Sequence, residues 1–196
     1  RTVLIFSSEL GSRFLNPAQP QSAILFGDAA AAAVITRARE GESSAVHQTR
    51  FATHSSGADY TEVRGGGTRH SPNDPATTPE MNLFAMNGSA VFRQAARLLP
   101  PFLDCFFADC GWRREQVDCL IPHQASRHGL ELLTERLGFR REQLFINLPE
   151  RGNCIAASIP LALAEAVGVG RIRRGDNVLL LGTGAGLTMG AVALTY

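Results

Sequence analysis

Residues 175–196 read GDNVLLLGTGAGLTMGAVALTY. From Val178 to Tyr196 no residue is charged, and the run is long enough to mimic a membrane span. Gly182, Gly184, Gly186 and Gly190 break it, so it reads instead as an apolar strand, a small-residue turn and a second apolar strand. The same plan occurs at the other end of the chain, where TVLIFSS (2–8) is followed by FGDAAAAAVI (26–35). These are two copies of one unit, the first truncated. Continuous apolar runs bounded by turn residues suit strands covered on both faces, so Thr2–Ser7 and the two runs of Ser22–Thr36 around Gly27-Asp28 read as buried strands.

Between the copies the text alternates. Residues 37–79 are polar, with Gly65-Gly66-Gly67 and three prolines, and read as a surface excursion holding one strand near Val46–His54. Asn87-Gly88 opens a helical pattern that Pro100-Pro101 interrupts; a second helix then runs to about Cys110, with Gly111 as its stop. A strand over Val117–Ile121, a helix over Ser126–Leu137, a short strand over Leu144–Asn147 and an apolar helix over Cys154–Val167 follow. The fold class is layered α/β with a mixed sheet, residues 1–40 closing a first half and 41–196 forming a second.

Composition narrows the chemistry. The 196 residues are 44% hydrophobic and 19% charged with a net charge of +1, an ordinary globular balance with no block of like charge for nucleic acid. All 19 basic residues are Arg, which excludes a Schiff-base lysine and the lysine of a P-loop. Cys105, Cys110, Cys119 and Cys154 are too irregularly spaced for a disulfide framework, and the N-terminal residues lack a signal-peptide pattern, so a cytoplasmic location and no membrane partner are expected. Arg1 reads as the interior of a longer chain.

In layered α/β folds ligands gather beyond strand ends. His123 follows VDCLIP, Asn153 sits in Arg151-Gly152-Asn153 before an apolar helix, and Gly184-Ala185-Gly186 follows NVLLL. A neutral His, an Asn amide and turn N–H groups are a donor set that can hold a thioester oxygen as charge develops on it. Each also has a plainer reading: His123 as a strand-end side chain bonded to backbone, Asn153 as a helix cap, the glycines as turn residues. Cys119, His123 and His128 are too loosely spaced for a zinc signature, and no metal is expected. Arg127, Arg136, Arg140 and Arg141 suit either an acidic carrier or a solvated helix face.

Taken in order, FGDAAAA (26–32), MNG (86–88), PHQAS (122–126), GNCIAASIPLAL (152–163) and GDNVLLLGTGAGLTMG (175–190) resemble the β-ketoacyl-[acyl-carrier-protein] synthase III family of the thiolase superfamily over nearly the whole chain. The resemblance implies a thiolase-like layered αβαβα fold of two similar halves, this chain giving the end of the first and the whole second. It implies that His123 and Asn153 belong to a Cys-His-Asn triad whose Cys lies upstream of Arg1, and that the Ala185 N–H contributes to an oxyanion hole. Cys154, beside the site, reads as a packing residue. Ser126 and Arg127 are the candidates for substrate or carrier docking, although the family's Asn after HQA is Ser126 here and the Arg it commonly carries two positions later is His128. The implied activity is decarboxylative Claisen condensation of an acyl thioester with a malonyl thioester in fatty acid or related biosynthesis, without a cofactor. The implied partners are acyl-coenzyme A, malonyl-[acyl-carrier protein] or malonyl-coenzyme A, the N-terminal half of the same enzyme and a second copy in a homodimer. Two further readings stand beside it: a relative that acylates a second acyl chain or an alcohol, and a non-catalytic partner subunit.

Overall fold

The computed structural model describes residues 2–196. Strand β1 (Thr2–Leu10) is joined through a 3-10 turn and the one-turn helix α1 (Pro20–Ala23) to β2 (Asp28–Thr36), and the two strands pair antiparallel from Thr2↔Thr36 to Leu10↔Asp28. Strand β3 (Ala45–Gly57) follows, then a short pair, β4 (Thr61–Glu62) with β5 (Ala85–Met86). Helix α2 (Gly88–Cys110) leads to β6 (Cys119–Pro122), α3 (Arg127–Arg136), α4 (Leu148–Arg151), α5 (Ser158–Gly168) and the hairpin of β7 (Asn177–Gly184) with β8 (Gly186–Thr195). The main sheet has the order β3-β8-β7-β6 and is mixed: β6 and β7 run parallel, the other neighbours antiparallel.

Both faces of strands β6 and β7 of this sheet are buried, whereas the edge strand β3 exposes Val46 and Phe51, and the alternation of side chains decides which residue goes where. Leu120, Leu179, Leu181, Met189, Ala191 and Ala193 pack with α2 on one side. Cys119, Ile121 and Val178 pack with Ala162 and Ala166 of α5 on the other. Beyond α5 lies the β1–β2 hairpin, which contacts α5 and the 3-10 turn before it. The order of layers is therefore hairpin, α5, main sheet, α2. On β2 the half-buried positions are Ala29, Ala31 and Ala33, small side chains that bring the strand close to α5.

The hairpin departs from the buried strands that the sequence suggests. Val3, Leu4, Ile5 and Phe6 are consecutive and all exposed, Phe6 to 74%, and Val34 and Ile35 are exposed as well. Two-sided burial holds only for β6 and β7 of the main sheet.

Three further expectations are corrected. The run Ser22–Phe26 is not a strand: Pro20 sets the first position of α1, and only Phe26 makes a sheet-like bridge, to Asn153. Leu144–Asn147 likewise reduces to one parallel bridge between Leu120 and Leu144. Pro100-Pro101 does not divide α2, which runs unbroken for 23 residues and ends at Gly111 in the left-handed conformation. Pro101 is exposed and Pro100 is half-buried at the margin of the stripe of Leu99, Phe102, Leu103, Phe106 and Phe107, and burial of that stripe outweighs the penalty of proline in a helix. Among the described residues no helix is long and apolar enough to cross a membrane.

Phe106 is wholly buried on α2, edge-on to Phe107, in the core that the helix shares with the sheet. Phe106→Ala is expected to lower unfolding free energy by about 3–5 kcal/mol, read as a shift of the urea midpoint without a change of slope.

Candidate active site

The carboxyl ends of β6 and β7 form one edge of the main sheet, and the residues singled out from the sequence lie at or beside it. The parallel register pairs Pro122 with Leu181, and the His123 backbone N–H donates to the Leu181 carbonyl at 2.7 Å, so His123 extends the ladder by one bond. Its side chain is half-buried. Desolvation pushes the imidazole pKa down to about 4, which keeps the ring neutral at neutral pH with one N–H to donate.

Asn153 reaches the site through a different element. Its backbone N–H donates to the Leu25 carbonyl at 2.6 Å and its carbonyl accepts from Gly27 N–H at 3.1 Å, which stitches the loop before α5 to the segment entering β2. The approach is close enough that a Cβ on Gly27 would meet the Arg151 carbonyl at 1.9 Å, and Gly152, at φ +69°, packs its backbone on Gly27 and Leu25. Asn153 Oδ1 accepts from Ile155 N–H at 2.9 Å. The capping reading of Asn153 is thus met by its oxygen alone, in an Asx turn. Holding Oδ1 there orients the amide, and among the described residues Nδ2 has no acceptor. Ile155 itself has φ +52°, an unfavourable conformation for a β-branched residue, two residues after Asn153.

Ala185 is exposed in the turn between β7 and β8, at the same edge of the sheet as His123. Ser126 Oγ accepts from Gly129 N–H at 3.2 Å and caps α3. Arg127 pairs with Glu131 at 3.3 Å, and Arg141 donates to the same carboxylate at 2.5 Å. Those two cations hold the Glu131 carboxyl below its usual range, Arg141 foremost, and are themselves committed.

Cys154 is not placed as a nucleophile. Its thiol is buried and donates to the Arg151 carbonyl at 3.2 Å, and burial pushes its pKa up. Cys119 lies within β6 with a pKa pushed up to about 11 by burial. Among the described residues no three His, Cys, Asp or Glu side chains gather as a metal site.

Two features escaped the sequence. Gln124, next to His123, is fully buried. Arg93 and Arg97 line a cavity of about 320 Å³ with Ser56, Tyr60, Ala90 and Gln94, and neither has a carboxylate partner among the described residues. An i, i+4 pair of arginines on one helix was the legible part of that signal.

Comparison with known proteins adds to this geometry. Residues 1–55 match a family model described as 3-oxoacyl-[acyl-carrier-protein (ACP)] synthase III, and residues 107–196 match that of its C terminal. The chain is 38% identical to β-ketoacyl-[acyl-carrier-protein] synthase III 3 of Streptomyces coelicolor, over 99% of this chain and 58% of the relative. It is 35% identical to β-ketoacyl-[acyl-carrier-protein] synthase III of Clostridioides difficile, over 100% of this chain and 59% of the relative. The crystal structure of 3-oxoacyl-(acyl carrier protein) synthase III from Pseudomonas aeruginosa PAO1 superposes with a TM-score of 0.86 at 32% identity, covering 100% of this chain and 58% of that one. The chain thus spans less than two thirds of the length of the relatives it matches.

Two measurements check the site. The unfolded chain holds the His123 proton up to its ordinary value of 6.5 while the folded chain releases it down to about 4, so the unfolded state binds more protons in between. Stability is expected to fall as pH is lowered from 6.5 towards 4, and His123→Asn should flatten that part of the melting-temperature profile. Alkylation by iodoacetamide followed by peptide mass spectrometry should label exposed Cys105 well before Cys154.

Proposed function

Because the chain belongs to the 3-oxoacyl-[acyl-carrier-protein] synthase III family, we propose that its protein is an acyltransferase that condenses an acyl thioester with a malonyl thioester, in fatty acid or related biosynthesis. The observation that carries this reading is the pair of neutral donors beside the strand ends: the His123 imidazole, kept uncharged by burial, and the Asn153 Nδ2, kept available because Oδ1 is bound elsewhere.

The chemistry divides into two steps. A cysteine thiolate attacks the acyl carbonyl of acyl-coenzyme A, and the coenzyme A thiolate leaves and takes up a proton. The four cysteines here are on α2, in β6 or buried as a thiol donor, so the nucleophile is assigned to a residue outside this chain. In the second step the malonyl C–C bond to the carboxylate breaks, carbon dioxide departs, and the electron pair is delocalised onto the thioester oxygen. His123 and Asn153 donate to that oxygen. The enolate carbon then attacks the acyl-cysteine carbonyl, whose oxygen the Ala185 N–H would hold, and the cysteine thiolate is expelled. Neutral donors suit this work, because they favour the developing enolate without binding the malonyl carboxylate strongly beforehand.

The carrier's anionic groups are assigned to Arg93 and Arg97 ahead of Arg127, whose guanidinium Glu131 already occupies. Ser126, as the cap of α3, positions that helix beside them. The exposed faces of β1 and β2 are assigned to the N-terminal half of the same enzyme and to a homodimer partner. Residues 1–40 would close the first half and 41–196 form the second.

In the full-length protein, His123→Ala and Asn153→Ala are each expected to slow malonyl decarboxylation by about 10²–10³ while leaving acyl transfer to the cysteine largely intact. The double variant should fall well short of the product of the two losses. If Asn153→Ala lowers only the melting temperature, its role is capping and the assignment fails.

A further inference from the structure

Gln124 follows His123 directly, and none of its surface is exposed. Glutamine is mostly a surface residue, since a buried amide loses its hydration unless each polar atom finds a partner. Here the partners lie at the end of β6 and on the segment before α4. Nε2 donates to the Pro122 carbonyl at 2.9 Å and to the Phe145 carbonyl at 3.4 Å, and Oε1 accepts from Asn147 N–H at 3.3 Å. The chain of bonds continues: Asn147 Nδ2 donates to Glu165 Oε2 at 2.8 Å, and Arg151 Nε donates to the other oxygen of that carboxylate at 2.6 Å. One carboxamide therefore joins the loop that carries His123 to residues 145–151, which lead into Asn153, and Glu165 ties that segment to α5.

We propose that Gln124 is a positioning residue whose carboxamide sets the spacing of the His123 and Asn153 loops, so that both side chains meet one thioester oxygen. The role rests on the activity proposed above. Among the described residues no hydrogen bond joins His123 to Asn153, so their spacing has to come from the backbones that hold them. A carboxamide alone among side chains of this size supplies donors to two carbonyls and an acceptor to an N–H at once.

The test is Gln124→Met in the full-length protein, which keeps the volume and removes all three bonds. Malonyl decarboxylation and acyl transfer are measured separately and corrected for folded fraction. Decarboxylation kcat is expected to fall roughly 10- to 100-fold with KM little changed, since misplacement by about 1 Å costs on that order, while acyl transfer persists. In a His123→Ala background the same substitution should have almost no further effect on decarboxylation, because Gln124 acts through that residue. A glutamine that serves stability alone would lower the melting temperature and leave kcat per folded molecule unchanged, which would overturn the proposal. Should Gln124→Met fail to fold, Glu165→Ala releases Asn147 and Arg151 from the partly exposed end of the same chain, and is expected to slow decarboxylation several-fold; unchanged decarboxylation would overturn the proposal equally. If the unsubstituted protein fails to decarboxylate malonyl thioester, the activity itself is overturned and this role with it; a wild type that turns over alongside an unaffected Gln124→Met sinks the positioning role alone.

Discussion

Two backbones meet where Gly27 faces Gly152, and no side chain fits between them. The contact carries little energy of its own. Its importance is geometric, because it allows Leu25 and Gly27 to hydrogen-bond the backbone of Asn153 on both sides, and so fixes the loop before α5 against the segment that enters β2. Through it the hairpin layer, the α5 layer and the Asn153 side chain share one reference frame. A methyl group on Gly27 would strike the Arg151 carbonyl, a backbone atom that cannot rotate away as a side-chain end could. The loop would have to move as a unit, and the Asn153 amide with it.

The charged groups around this frame sit towards solvent. The ion pairs, such as Arg141 with Glu131 and Arg151 with Glu165, involve partly or largely exposed side chains, where each contributes little to stability. At the strand ends the groups are an imidazole without charge, an amide and backbone N–H donors. Burial selects for this, since a cation at His123 would lose its hydration, and among the described residues no carboxylate bonds to that side chain.

What could be read from the residues follows the range of the interactions concerned. The hairpin of β7 and β8 was legible because its signals are local, an uncharged apolar run with small residues at the turn. His123, Asn153 and Ala185 were legible as chemical types standing after strands. Ser22–Phe26 misled because Ile24, Leu25 and Phe26 look like a strand, whereas their partner is a loop more than a hundred residues away and pairs with one residue only. Leu144 misled in the same way, since Phe145 N–H bonds to Leu120 and the chain then turns off towards Gln124. Pro100-Pro101 reads as a break on local grounds, and only the burial of Phe102, Phe106 and Phe107 along the same helix overrules it. Gln124 offered no signal beyond its place in PHQAS, because a loop glutamine gives no indication in one dimension that it bridges two backbones.

Strand β7 is apolar on both faces, so a slip of one residue would exchange Val178 and Leu180 for Leu179 and Leu181 and cost little in hydrophobic burial. Register must be written in something other than greasiness. The glycines supply it: Gly182 stands opposite Gly190, and the Phe51 ring lies over Gly190 from the neighbouring strand, into space that any side chain would occupy. Empty positions act as the index marks of the sheet. A lineage can therefore drift freely among valine, leucine and isoleucine along these strands while the gaps stay put, and two descendants can share few core residues yet keep every strand in step.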